Sequence, residues 1–72
     1  MGFSVRLKAL RAQAKETQEQ VARATNISVK QLQRFEYGEQ KPGFDDLWAL
    51  ADHFHVTVDY LMGRTDENKY EV

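Results

Sequence analysis

The side chains able to do chemistry are concentrated in a few places. Lys30, Gln33, Arg34 and Tyr37 lie within one stretch of eight residues, and each ends in a long hydrogen-bonding or cationic group. Such groups match nucleobase edges: a guanidinium or ammonium suits guanine O6 and N7, and a carboxamide suits adenine N6 and N7. His53 and His55 are the only histidines, two residues apart, and the chain has no cysteine. Two donors at the end of one segment are too few for a metal centre, so no metal is expected. Asp45 and Asp46 are adjacent carboxylates, but neighbours on a helix diverge by ~100° and cannot converge on one substrate as acid and base. They suit the first turn of a helix, where carboxylates complement the dipole. No nucleophile–base set is visible, so neither an enzyme nor a cofactor is expected.

Positioning these groups is the task of the surrounding segments, whose apolar spacing is helical throughout. The first runs from about Phe3 to Ala14, with Phe3, Leu7, Leu10 and Ala14 inward and Arg6, Lys8 and Gln13 on the opposite face. The second begins at Thr17, an N-cap with Gln20 closing a capping box, and buries Val21, Ala22 and Thr25. Asn26 tolerates the left-handed conformation of a tight turn. Ser28 and Gln31 form a second box, and Ile27 can pack on Leu32 as a hydrophobic staple. Leu32 and Phe35 face inward, and Gly38 stops the third segment. In the fourth, Phe44, Leu47, Leu50, Ala51 and Phe54 make the inward stripe. Thr57 caps a last short helix, stapled by Val56 and Leu61 and ending near Gly63. The one proline, Pro42, and all four glycines lie outside these segments.

Segments two and three are short capped helices, Thr17–Thr25 and Ser28–Glu36, joined by a tight turn. That geometry is the helix-turn-helix, whose second helix enters the DNA major groove. At ~100° per residue, the direction opposite Leu32 and Phe35 is occupied by Lys30, Tyr37, Arg34 and Gln33. No carboxylate shares that face, and Glu36 points nearer the core. An ordinary solvated helix face would also look this way, so the pattern gains weight only from its helix-turn-helix setting. Gln18 stands at the start of the second helix, beside free N–H groups suited to a phosphate oxygen. Lys41, in the loop after the third, reaches toward the other flank.

A chain of 72 residues with 42% hydrophobic and 29% charged side chains is a single globular domain. The expected organisation is a domain over residues 1–63 and a polar tail from Arg64 to Val72. No apolar run reaches the ~18 residues of a membrane span, and the first residues do not resemble a signal peptide, so a cytoplasmic location is expected. Net charge is −1, which argues against indiscriminate polyanion binding. Its distribution is uneven: residues 1–41 hold eight basic and four acidic side chains, and residues 42–72 hold two basic and seven acidic ones. One side of the molecule is expected to face anions.

At this level the chain resembles the lambdoid-repressor-like, or XRE-type, helix-turn-helix proteins of bacteria and phages. The resemblance is carried by Arg6-Leu-Lys-x-Leu-Arg11, Thr17-Gln-x-x-Val-Ala22, Ile27-Ser-x-x-x-Leu-x-Arg-Phe-Glu-x-Gly38, Lys41-Pro42, Leu47-x-x-Leu-Ala51 and Val56-Thr-x-Asp-Tyr-Leu-Met-Gly63, in order across residues 6–63. It implies a compact all-α domain of five helices that binds double-stranded operator DNA, usually as a homodimer. It also implies roles: Gln18 as a phosphate contact, Val29, Lys30, Gln33 and Arg34 as base contacts, and Arg11 with Glu36 as an internal salt bridge. Tyr37 and Lys41 join Gln18 as expected phosphate contacts. Two departures stand out. Lys15-Glu16 replaces the family's Gly-Leu, removing a glycine C-cap and an apolar staple, and Asn26 replaces a turn glycine.

The expected function is therefore a sequence-specific transcriptional regulator, a repressor of prokaryotic or phage origin. A different class competes with it: a small modulator that binds another regulator protein, or an antitoxin combining both activities. Trp48, Tyr60 and Met62 are the candidate protein-contact residues for that reading, and equally for a homodimer.

Overall fold

The computed structural model describes residues 2–68. They form five helices: α1 (Phe3–Gln13), α2 (Gln18–Thr25), α3 (Val29–Glu36), α4 (Phe44–Phe54) and α5 (Val58–Leu61). The described residues include no strand. Each helix contributes to one core, built from Leu7 and Leu10 of α1, Val21 and Ala22 of α2, Leu32 and Phe35 of α3, Leu47, Leu50 and Ala51 of α4, and Leu61 of α5. Ile27 and Val56, each placed before a helix start, are buried with them. Phe35 sits at the centre, fully buried, with the Phe3 ring edge-on to it at 5.9 Å.

The helix starts follow the side-chain chemistry. Thr17 Oγ1 accepts from the Gln20 N–H at 3.1 Å, while the Thr17 N–H donates to Gln20 Oε1 at 2.8 Å, a complete capping box. Ser28 and Thr57 accept from the N–H groups of Gln31 and Tyr60. At Ser28 only half of the expected box forms, because no bond returns from the Gln31 side chain among the described residues.

The helix ends share one device. Lys15, Asn26, Gly38, His55 and Gly63 all have positive φ, between 57° and 79°. In each case the next residue's N–H reaches back to a carbonyl in the last turn: Glu16 to Arg11, Ile27 to Ala22, Glu39 to Arg34, Val56 to Ala51 and Arg64 to Asp59. This is the Schellman closure, which satisfies carbonyls the helix leaves orphaned. Three of the five residues are not glycine, so α1, α2 and α4 end on a conformation that costs an L-residue energy.

Three inward or outward assignments change. Phe44 is 71% exposed rather than part of the core stripe. It is the first residue of α4 and projects beyond the end of the core, where its ring lies 5.7 Å from that of Trp48, itself exposed. Ala14 is exposed because α1 has ended before it. Arg6, placed on the solvent face by the sequence reading, is buried. Its helical angle falls only ~40° from that of Leu10. Its guanidinium lies 4.0 Å over the Tyr60 ring, and Nη2 donates to Asp66 Oδ1 at 2.9 Å. Arg6 thus joins α1 to α5 and to the segment after it. That contact, and a bond from the Thr57 N–H to Asn68 Oδ1 at 3.4 Å, place residues 64–68 against the domain. The rest of the expected tail, residues 69–72, lies outside the described residues.

Candidate nucleic-acid interface

Two capped helices and a three-residue turn set the geometry of the site. Asn26, with φ at 61°, ends α2 and turns the chain sharply. Ile27 then inserts into the core, and Ser28 starts α3. Leu32, Phe35 and Glu36 of α3 are buried, which fixes the rotation of the helix about its axis. The opposite side is therefore forced outward. Lys30, Arg34 and Tyr37 are exposed there, with Gln31 and Gln33 half-buried beside them. Val29 is half-buried and packs on the edge of the core. Lys41 is exposed in the loop after α3. Arg34 and Lys30 thus reach freely from one ridge, while Val29 and Gln33 flank it with restricted side chains.

A buried polar network stands behind this ridge. Arg11 Nε donates to Glu36 Oε2 at 2.6 Å and Nη2 donates to Oε1 at 2.9 Å, a two-pronged ion pair between α1 and α3. Arg11 Nη1 also donates to the Glu16 carbonyl at 3.1 Å. Hydrogen bonding to Glu36 raises the Arg11 guanidinium above its ordinary pKa, while burial acts in the opposite sense. Gln18 Nε2 adds a third donor to the carboxylate, reaching Oε1 at 3.1 Å. Gln18 Oε1 in turn accepts from Gln33 Nε2 at 3.1 Å. Three helices are thus connected by side chains that end at the exposed ridge.

The sequence paired Arg11 with Glu36, as the structure does, but did not connect that ion pair to Gln18 and Gln33. The signal was available: Gln18 opens α2, and Gln33 lies three residues before the inward-pointing Glu36 on α3. The remaining candidates lie elsewhere. Trp48 is exposed on α4, and Met62 is exposed after α5. Tyr60 is half-buried beneath Arg6, so much of its ring face is already covered. His53 Nε2 lies 2.8 Å from Glu16 Oε1, joining α4 to the α1–α2 linker. Among the described residues no group of three His, Cys, Asp or Glu side chains is placed to hold a metal ion. No helix there is long and apolar enough to cross a membrane.

The Helix-turn-helix family model matches residues 7–61, which include the whole of the core just described. The chain belongs to the XRE-type helix-turn-helix family. This domain is 33% identical over 69 residues to the HTH-type transcriptional regulator ImmR of Bacillus subtilis (strain 168), covering 96% of this chain and 54% of ImmR. It is 35% identical over 71 residues to the cryptic phage CTXphi transcriptional repressor RstR of Vibrio cholerae, covering 96% of this chain and 63% of RstR. The chain therefore spans between half and two thirds of the length of these relatives. Its fold is similar to that of the P22 c2 repressor, solved with a synthetic operator, at a TM-score of 0.82 and 24% identity, covering 86% of this chain and 94% of that one. That likeness establishes a lambda/P22-like repressor fold for this helix-turn-helix domain.

Proposed function

We propose that this domain represses transcription by binding double-stranded operator DNA, with α3 in the major groove. The observation that carries this reading is the outward ridge of α3. It presents Lys30, Arg34 and Tyr37, keeps its one carboxylate, Glu36, buried beneath, and sits on a helix pair joined by a tight turn. Lys30 and Arg34 read purine edges, Val29 packs on a thymine methyl, and Gln33 adds amide readout. Gln18, Tyr37 and Lys41 hold phosphates, which set register rather than sequence. Gln18 has a proton to offer: its Nε2 has two, and only one is used by Glu36. The description of RstR as a phage repressor and the operator bound to the P22 c2 repressor support the same reading. Two copies reading half-sites on one face of the duplex would block polymerase access.

A mobility-shift titration against DNA flanking the gene, at two salt concentrations, tests the proposal. Specific binding that weakens steeply with salt is expected, because each neutralised phosphate releases counterions. Absence of binding at both salt concentrations would overturn it. A second reading, capture of another regulator protein, rests on the exposed Phe44–Trp48 pair and Met62. Co-purification of a partner protein without any DNA shift would favour it.

A further inference from the structure

Arg6 and Arg11 both lie on α1, and each meets a carboxylate. A guanidinium is planar, so its Nε–H and Nη2–H run side by side along one edge and match the two oxygens of one carboxylate. Arg11 uses that edge in full, with Nε on Glu36 Oε2 and Nη2 on Oε1. Arg6 uses half of it. Its Nη2 donates to Asp66 Oδ1, whereas its Nε is buried and has no hydrogen-bond partner among the described residues. Planarity aims the unused N–H the same way as Nη2, toward the carboxylate. The Arg6 side chain is 6% exposed and that of Asp66 is 91% exposed, so Asp66 closes the fork from the solvent side. A buried N–H left unpaired is costly. A carboxylate that brings both oxygens to the edge therefore gains a bond that Asp66 leaves unmade.

We infer that the Nε–Nη2 edge of Arg6, walled by the Tyr60 ring, is a docking site for an aspartate or glutamate side chain of a partner polypeptide, and that Asp66 half-fills it in the free domain. The guanidinium selects an anion, and its fork selects one with two coplanar oxygens. The Tyr60 ring lies 4.0 Å from Cζ and covers one face, which leaves an edge-on approach. The occupant already there is a carboxylate carried on a peptide segment, residues 64–68, and that sets the class of its competitor. A partner acid displaces Asp66 and releases the link from α1 to the segment after α5. Arg6, Tyr60 and Asp66 are not among the residues assigned to DNA, so the site stands independently of the reading of α3.

Nuclear magnetic resonance of the arginine Nε–H groups tests this, with Arg6→Lys assigning the Arg6 signal. In the unmodified domain the Arg6 Hε resonance should lie upfield of that of Arg11, whose Nε–H is bonded to Glu36. The probe is the capped peptide acetyl-Ala-Ala-Glu-Ala-Ala-amide, with glutamine in place of glutamate as the control. The glutamate peptide should move Arg6 Hε downfield, toward the Arg11 position, and shift the Tyr60 ring signals; the glutamine peptide should do neither. In Arg6→Lys, which keeps the charge but not the fork, the Tyr60 signals should not respond. Asp66→Ala removes the internal competitor, so about tenfold less peptide should give the same shift. A thermal melt verifies its folding, and if it does not fold the measurements on the unmodified domain decide. An Arg6 Hε that already matches Arg11 without peptide, no response to the glutamate peptide, an equal response to the glutamine one, or an Asp66→Ala titration no different from that of the unmodified domain would overturn the inference.

Discussion

Single side chains divide here into those that read and those that hold. Under the proposed function Arg34 reads: it is exposed on the ridge and its guanidinium is a bidentate donor. Arg34→Ala should cost ~1–3 kcal/mol of binding to the preferred site and relax base choice at one position. Selected sequences that change uniformly, with no position relaxed, would contradict that role. Arg11 holds. Removing it leaves the enclosed Glu36 carboxylate with only Gln18 as donor, so Arg11→Met should lower stability by about 3 kcal/mol in urea denaturation. The double variant Arg11→Met, Glu36→Leu should recover much of that loss, because no buried charge is left unpaired. If the double variant is as unstable as the single one, the pair is contributing more than mutual neutralisation. Types and spacing pointed in advance to the ridge on which the structure exposes Lys30, Arg34 and Tyr37. Arg6 was not legible in the same way: a charged residue beside an apolar stripe reads as solvated unless the aromatic ring that covers it, Tyr60 from α5, is known to be there.

Elements are specified mainly at their ends. The starts were written in the sequence as Thr17, Ser28 and Thr57, since a hydroxyl in that position has one obvious task. The stops were written only where glycine or asparagine occurs, at Gly38, Gly63 and Asn26. The same closure at Lys15 and His55 was hidden, because neither residue type favours a positive φ, yet both have φ 57°. Phe44 misled for a related reason. A stripe predicts which side of a helix faces the core, but not how far along the helix the core extends. Lys15 therefore carries a prediction of its own. A left-handed L-residue costs ~1–2 kcal/mol, and glycine gives back part of the gain through its freer unfolded chain. Lys15→Gly should stabilise the domain by about 0.5–1 kcal/mol, raising the melting temperature by roughly 2–8 °C for a domain this small. An unchanged or lower melting temperature would mean that the Lys15 side chain contributes a contact worth the strain.

The molecule as a whole is sized for its proposed work. Its principal extents are 29 × 22 × 22 Å. Successive major grooves on one face of B-form DNA repeat every ~34 Å. Two copies centred on adjacent grooves would therefore stand side by side without overlap, near enough for surface side chains to meet. Phe44 and Trp48 form an exposed apolar pair away from the core, and Met62 is a further exposed apolar group. Hydrophobic contact between neighbouring copies would make binding of the second favour the first. Helical phase then becomes a sensitive test of the assembly. Inserting about five base pairs between half-sites moves the second groove to the opposite face of the duplex, since a turn takes ~10–10.5 base pairs. The two domains then lie on opposite sides of a rod and cannot touch. Titration should change from steep, cooperative occupancy to two independent binding events of lower affinity. Inserting a full turn should restore the facing but lengthen the gap by ~34 Å, more than the 29 Å longest extent of one domain, so cooperativity should not return. Independent, non-cooperative binding at all three spacings would show that the copies do not communicate through protein contact, and that each half-site is read alone.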